Sequence, residues 1–237
     1  MFRFYALRTL KDWVGHVILI GLPVTLIYLL TYINAYDTDF WTEAATVISL
    51  GFIIMFQVFG SAYTHETMHQ DFFTAYKDRL LSTPVRKNHV VFMILLISTL
   101  TSFIQTMLIL LFSVVVVGAE FSRYELLIPL LLLSSIISQL IAGYFMVLLK
   151  NTSKAQAAIT FYAVFGTFMA GVFFEMPSGR VSDFLTRYST PVAWTRSAAL
   201  SIIDFSDDGF LTGFTLLLVI ATILILCMPL VVKKVIR

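Results

Sequence analysis

Apolar residues in this chain come in long unbroken blocks separated by short polar stretches. This is neither the alternation of a half-buried strand nor the one-sided spacing of a surface helix. Six blocks reach the roughly 17–25 residues that a bilayer-spanning helix needs. They lie at about 14–33, 44–62, 90–118, 126–149, 157–174 and 211–232, and none holds Asp, Glu, Lys or Arg in its interior. The third is long enough to tilt or to extend beyond the hydrocarbon. The first reads as a retained span: its apolar run is too long for a cleaved signal, and NAYDTDFW behind it offers no small-residue cleavage site. The pattern predicts an all-α membrane protein, with six transmembrane helices in one transmembrane domain over 1–237.

Two intervening stretches are too long for turns, and long connections of this kind are usually functional. Residues 63–89 form an inner loop of 27 residues, and 175–210 an outer segment of 36. The inner loop predicts a helix from Asp71 to Leu81, through DFFTAYKDRLL. Ser82-Thr83-Pro84 follows, where Thr83 caps a new helix and Pro84 takes its first position. The same device recurs at Ser189-Thr190-Pro191, opening a helix through AWTRSAALSII, so short extracellular helices precede the last span. Residues 1–13 place Phe2, Ala6, Thr9, Leu10 and Trp13 on one side of a helical wheel, with Arg8, Lys11 and Asp12 opposite. That is the pattern of an amphipathic helix lying on a membrane surface.

Charge sets the orientation, because cytoplasmic loops carry the excess of Lys and Arg. With both termini cytoplasmic, the inner segments hold 12 of the 16 basic residues and 4 of the 14 acidic ones. Composition agrees with a membrane protein: 59% apolar and 13% charged, against about 45–50% and about 25% in soluble domains. Mean hydropathy is +0.89. These values exclude a soluble globular domain, a disordered chain and a nucleic-acid binder. The lone Cys227 excludes a disulfide framework.

One motif carries chemistry. His65, Glu66 and His69 spell HETMH, the H-E-x-x-H pattern that puts two imidazoles on one helix face with a general base between them. A membrane-embedded zinc metalloprotease is therefore one alternative. A catalytic zinc needs a third protein ligand, however. Only His16 and His89 remain among histidines, Glu125 and Glu175 lie on the other side of the membrane, and Asp71 and Asp78 are close in sequence. The expectation is no bound metal and a polar helix end at the membrane surface. The chain has no phosphate-binding G-x-x-x-x-G-K-[ST] loop and no G-x-S-x-G elbow. Nor do its spans hold the ionisable relays usual in ion-coupled pumps. A transporter so built takes its energy from another subunit, or else is a passive or secondary carrier.

The polar content of the spans is uncharged. Gln57 lies in the second, Ser98, Ser102 and Gln105 in the third, and Ser135 and Gln139 in the fourth. They bond helices together or line a substrate path. Ala163, Gly166, Thr167, Ala170 and Gly171 give the fifth block the small-residue spacing of close helix packing.

Asp71 with AYKDRLLSTPVRKNHVV at 75–91, and YSTPVAWTRSAAL at 188–200, resemble two motif regions of the ABC-2 type exporter permeases. The resemblance extends over nearly the whole chain through the order of its elements. Ala75 and Tyr76 stand where the family usually has Gly and Thr, and Arg196 falls earlier than the family's arginine. The resemblance implies a permease that works as a pair, same or homologous, with two cytoplasmic ABC ATPase subunits. The loop 66–88 would be the coupling element, contacting the ATPase through Asp71, Phe73, Tyr76, Lys77, Asp78 and Arg79. ATP and Mg would belong to the partner, with no cofactor on this chain. The exported substrate would be a drug, peptide, lipid or glycan, and the location a bacterial plasma membrane.

Overall fold

The long apolar blocks fold as helices because a helix satisfies its own backbone hydrogen bonds, which hydrocarbon cannot do. The computed structural model describes residues 2–35, 40–82, 86–172, 179–205 and 207–235. Their elements are α1 (Phe2–Leu10), α2 (Trp13–Ala35), α3 (Trp41–Phe59), α4 (Ala62–Phe72), α5 (Tyr76–Leu81), α6 (Lys87–Phe112), α7 (Tyr124–Leu149), α8 (Thr152–Met169), α9 (Arg180–Tyr188), α10 (Pro191–Ile203) and α11 (Asp207–Val235). A π-helical turn, Ser113–Val117, extends α6. No strand occurs among the described residues.

Five helices are long and apolar enough to cross a membrane: Trp13–Asn34, Trp41–Phe72, Lys87–Val117, Tyr124–Leu149 and Asp208–Lys234. They point to a multi-pass membrane protein. The predicted span at 157–174 falls on α8, which is not among the five, since Thr152, Ser153, Lys154 and Gln156 occupy its first turns.

The second span differs from the sequence reading in a way that matters. It does not end near residue 62. Gly60 and Ser61 carry the chain from α3 into α4 with helical hydrogen bonds running through, Gly60 N to Phe56 O and His65 N to Ser61 O. One rod of 32 residues results, about 48 Å long at 1.5 Å per residue. The stretch 63–72, expected in a cytoplasmic loop, is the end of that rod.

α7 is the axis. It packs against α3, α4, α6, α8, α10 and α11, and Leu127, Leu130, Leu131, Ile137, Ala142 and Met146 on it are buried. α2 and α11 are outer staves, with Val17, Ile33, Leu226 and Leu230 among their exposed side chains. The caps follow the local sequence. Asn151 accepts from Lys154 N at the start of α8, and Thr190 from Ala193 N at the start of α10, with Pro191 in the first turn. The Thr83–Pro84 cap lies outside the described residues. At the remote end of α6, Trp41 Nε1 donates to Val117 O at 2.7 Å, and Thr46 Oγ1 accepts from Glu120 N at 2.9 Å.

Close approach through glycine is required where α10 meets α11. A Cβ on Gly213 would stand 2.9 Å from both Trp194 O and Ala198 Cβ, whereas one on Gly21 would meet nothing within 4 Å. Gly213→Ala is therefore expected to lower stability by about 1–3 kcal/mol through overpacking. Gly21→Ala is expected to raise it by up to about 1 kcal/mol through helix propensity. Thermal melting in detergent checks the opposite signs.

Candidate functional site

The candidate coupling residues gather at the end of the α3–α4 rod, where α1 closes over α4. Asp71 is fully buried there. Arg8 NH1 donates to its Oδ1 at 2.8 Å and Tyr5 OH to its Oδ2 at 2.6 Å. Arg8 NH2 also donates to Gln70 Oε1, and Gln70 Nε2 in turn to Glu66 Oε1 at 2.9 Å. Burial, and then the hydrogen bond to Asp71, push the Tyr5 hydroxyl well above its ordinary pKa.

This arrangement corrects the helical wheel. Arg8 does not point to water with Lys11; it turns inward with Tyr5 and Thr9, while Phe2, Phe4, Leu7 and Leu10 are exposed. α1 packs along α6, and its inward side reaches α4 through Tyr5 and Arg8 on Asp71 and Gln70. An outward apolar face is what a helix lying on lipid presents. A second bond set ties α1 to α2: His16 Nε2 lies 3.0 Å from Thr9 O, while Nδ1 lies 2.9 Å from Tyr63 OH and from Gln105 Nε2. Thr9 O can only accept, so the ring is protonated at Nε2 and accepts at Nδ1.

The predicted helix from Asp71 to Leu81 is broken. α4 ends at Phe72, and Phe73–Ala75 are non-helical before α5 begins at Tyr76. Thr74 supplies the physical reason. Its Oγ1 donates to Gln70 O at 2.5 Å and accepts from Tyr76 N at 3.3 Å, and its carbonyl accepts from Lys77 N at 3.0 Å. Thr25 and Thr106 make the same bond to the carbonyl four residues back inside unbroken helices, so it is the Thr74 hydroxyl accepting from Tyr76 N that opens the new turn. Phe73 is half-buried against the His69 ring, Tyr76 and Asp78 are exposed, and Lys77 is half-buried. The Arg79 side chain lies outside the described residues. Asp71 is thus separated from the exposed group: it holds α1, and Tyr76 and Asp78 face outward.

His65 is buried, contrary to the expectation of a surface helix end. Its Nε2 lies 3.1 Å from Ala142 O and its Nδ1 3.2 Å from the Gln156 carboxamide. Both ring nitrogens therefore serve contacts to α7 and α8. Glu66 is exposed and bonds Gln70. Among the described residues no group of three His, Cys, Asp or Glu could hold a metal ion.

The six uncharged polar residues proposed for a path are all buried. The structure brings Gln57 and Ser102 together at the α3–α6 contact, with Ser102 Oγ 3.5 Å from Gln57 O. Gln57 Nε2 donates to Leu131 O at 3.0 Å, and Thr64 Oγ1 to Gln139 Oε1 at 2.6 Å. Gln105 joins the His16 set instead. Gln57 Oε1, Ser61 Oγ, Ser135 Oγ and Gln139 Nε2 find no partner among the described residues. They mark a polar seam along α3–α4 and α7, stepping by about four residues on each helix. Tyr5, Arg8, His16, Tyr63 and Thr64 were not anticipated in these networks. A tyrosine or histidine inside an otherwise apolar run was the available signal.

Compared with protein-family models, curated proteins and solved structures, the chain matches none.

Removing one partner of a buried ion pair typically costs about 3–5 kcal/mol, because the other charge stays buried. Arg8→Ala is expected to destabilise the protein on that scale, and Arg8→Ala with Asp71→Leu to recover at least half. Melting midpoints of the single and double variants check this. Tyr5 adds a pH dependence. Its folded pKa is raised, so its contribution is complete below the ordinary tyrosine pKa of about 10 and fades as pH rises above it. A melting series from neutral to alkaline pH is expected to show this fall in wild type and a smaller one in Tyr5→Phe.

Proposed function

We propose that this chain is the membrane-spanning subunit of an ATP-driven ABC exporter, with α5 as the element that meets a cytoplasmic ABC ATPase. The observation that carries the reading is the Thr74 break. It detaches a six-residue helix from the rod and leaves Tyr76 and Asp78 exposed. A force on α5 has a short covalent route into α4, which α1 grips through Arg8 and Asp71. Paired opposite charges at such a contact give orientation and specificity more than affinity.

In this reading the chain has six spans with both termini cytoplasmic. α8 is the fifth span in chain order, about 27 Å long, with Phe161, Val164, Phe165 and Phe168 exposed as a lipid-facing edge. A second permease copy or homologue completes the transporter. The polar seam of Gln57, Ser135 and Gln139 is the part of the interior that gains most from contact with water or a polar substrate. The bacterial plasma membrane is the proposed location.

The test uses the affinity-tagged chain, purified in detergent from its own host. An ATPase subunit is expected to co-purify, and Tyr76→Ala with Asp78→Lys to reduce that recovery and its ATP hydrolysis about tenfold, in keeping with a contact of 1–2 kcal/mol. The melting midpoint is expected to stay as in wild type. Recovery of no ATPase, together with transport by the lone chain in liposomes under an ion gradient, would establish a secondary carrier instead.

A further inference from the structure

At the end of α8 remote from Gln156, helices α9, α10 and α11 enclose a cleft of about 540 Å³. That is within the range of small-molecule sites, about 300–1,000 Å³. Thr186, Arg187, Arg196, Ser201, Asp204 and Asp208 are among its lining residues, and Gly209 and Gly213 leave room between them. The charges are segregated. The arginines come from α9 and the middle of α10, and the carboxylates from the end of α10 and the start of α11, eight and twelve residues beyond Arg196. No ion pair among the described residues joins either arginine to either carboxylate.

Arg196 is the unusual group. It is partly buried, and its NH1 donates to Ala170 O at 2.9 Å. Burial pushes the guanidinium pKa down, with no carboxylate offsetting it. A desolvated guanidinium bordering a cleft is suited to a phosphate or carboxylate, which it can engage through several N–H groups at once. A bare anion fits less well, because Asp204 and Asp208 share the cavity and repel it.

α9 supplies the second observation. Val181, Phe184 and Tyr188 are 74%, 61% and 43% exposed. Their i, i+3, i+7 spacing places them on one edge of the helix. Thr186, Arg187 and Tyr188 line the cleft, so the apolar edge meets the cleft at Tyr188. Phe205 and Leu211, at the α10–α11 junction and the start of α11, are also exposed. An apolar edge backed by a polar one is the build of a helix lying in a membrane interface. Trp194 Nε1 fixes α9 to α10 by donating to Tyr188 O at 3.0 Å.

We propose that this cleft binds the zwitterionic phosphate headgroup of a membrane lipid. The phosphate lies on Arg187 and Arg196, the ammonium lies toward Asp204 and Asp208, and the acyl chains run along the apolar edge of α9. The site does not depend on the exporter reading. Its test contains no ATPase, so loss of lipid binding and loss of an ATPase partner are separate results.

The experiment is native mass spectrometry and thermal melting of the delipidated, detergent-purified chain. Phosphatidylethanolamine, phosphatidylglycerol and inorganic phosphate are added in separate arms. Wild type is expected to retain phosphatidylethanolamine about tenfold better than phosphatidylglycerol, and to be stabilised by it alone. Arg196→Gln is expected to cut that retention about tenfold, the scale of a charge-assisted hydrogen bond. Asp204→Asn is expected to erase the preference between the two lipids. Should Arg196→Gln not fold, Arg187→Gln and Asp204→Asn carry the same comparison. Equal retention of the two lipids by wild type would overturn the proposal, as would unchanged retention in the folded variants. Stabilisation by inorganic phosphate matching that by lipid would reduce the cleft to a plain anion site and overturn it too.

Discussion

Hydrocarbon supplies no hydrogen-bond partner, so every polar group in an apolar bundle must be met by another part of the chain. That constraint organises the interior here. Gln57 reaches the backbone of α7, Thr64 reaches Gln139, and His65 spans from α7 to α8. These contacts fix which face of the α3–α4 rod meets α7, a choice that apolar packing alone leaves loosely specified, since lipid tails are as apolar as leucine. Of the seven buried side-chain groups left unmet among the described residues, four, Gln57 Oε1, Ser61 Oγ, Ser135 Oγ and Gln139 Nε2, lie on the same seam. The seam is therefore both the register of the bundle and its least satisfied contact.

The same logic explains the far end of the α3–α4 rod. α4 runs beyond the length of a bilayer core and brings Asp71 with it. A fully buried carboxylate needs a countercharge, and α1 brings one. α1 is amphipathic in the reverse of the usual globular sense, with polar groups toward the protein and Phe4, Leu7 and Leu10 outward. Such a helix gains from the membrane surface on one side and from a polar clasp on the other.

Four of the six apolar blocks meet their helices within a few residues because long apolar runs and caps are local signals, whereas the second runs on to Phe72 and the fifth falls on α8, which is not among the five span-length apolar helices. Thr190 and Pro191 open α10 as their chemistry predicts. What was not legible was non-local or a competition. Arg8 and Asp71 stand 63 residues apart, and nothing in their spacing pairs them. HETMH reads as a metal motif because two histidines four apart share a helix face. The pattern does not reveal that His65 faces the bundle interior, where Ala142 and Gln156 meet its ring. The break after Phe72 depended on whether Thr74 bonded its own backbone or let the helix run on, and both outcomes suit the same letters. The amphipathic edge of α9 is a local signal too, carried by the spacing of Val181, Phe184 and Tyr188.

The Arg8–Asp71 pair also bears on why the clasp is ionic. A well-packed apolar contact of the same volume is often as stable as a buried ion pair, or more so. Stability alone therefore does not favour charge at this position. Position does. An apolar α1 could slide along an apolar α4 or sink into lipid with little change in energy, since each arrangement buries similar surface. Arg8 reaching Asp71 Oδ1 and Gln70 together, with Tyr5 on Oδ2, admits one placement only. Any other leaves a buried carboxylate unpaired. The clasp thus converts a sliding contact into a fixed one, and it does so three residues before Thr74 breaks the helix. In the proposed exporter reading, a force on α5 would meet a rod end whose place is already set, and such a segment needs that placement more than extra stability.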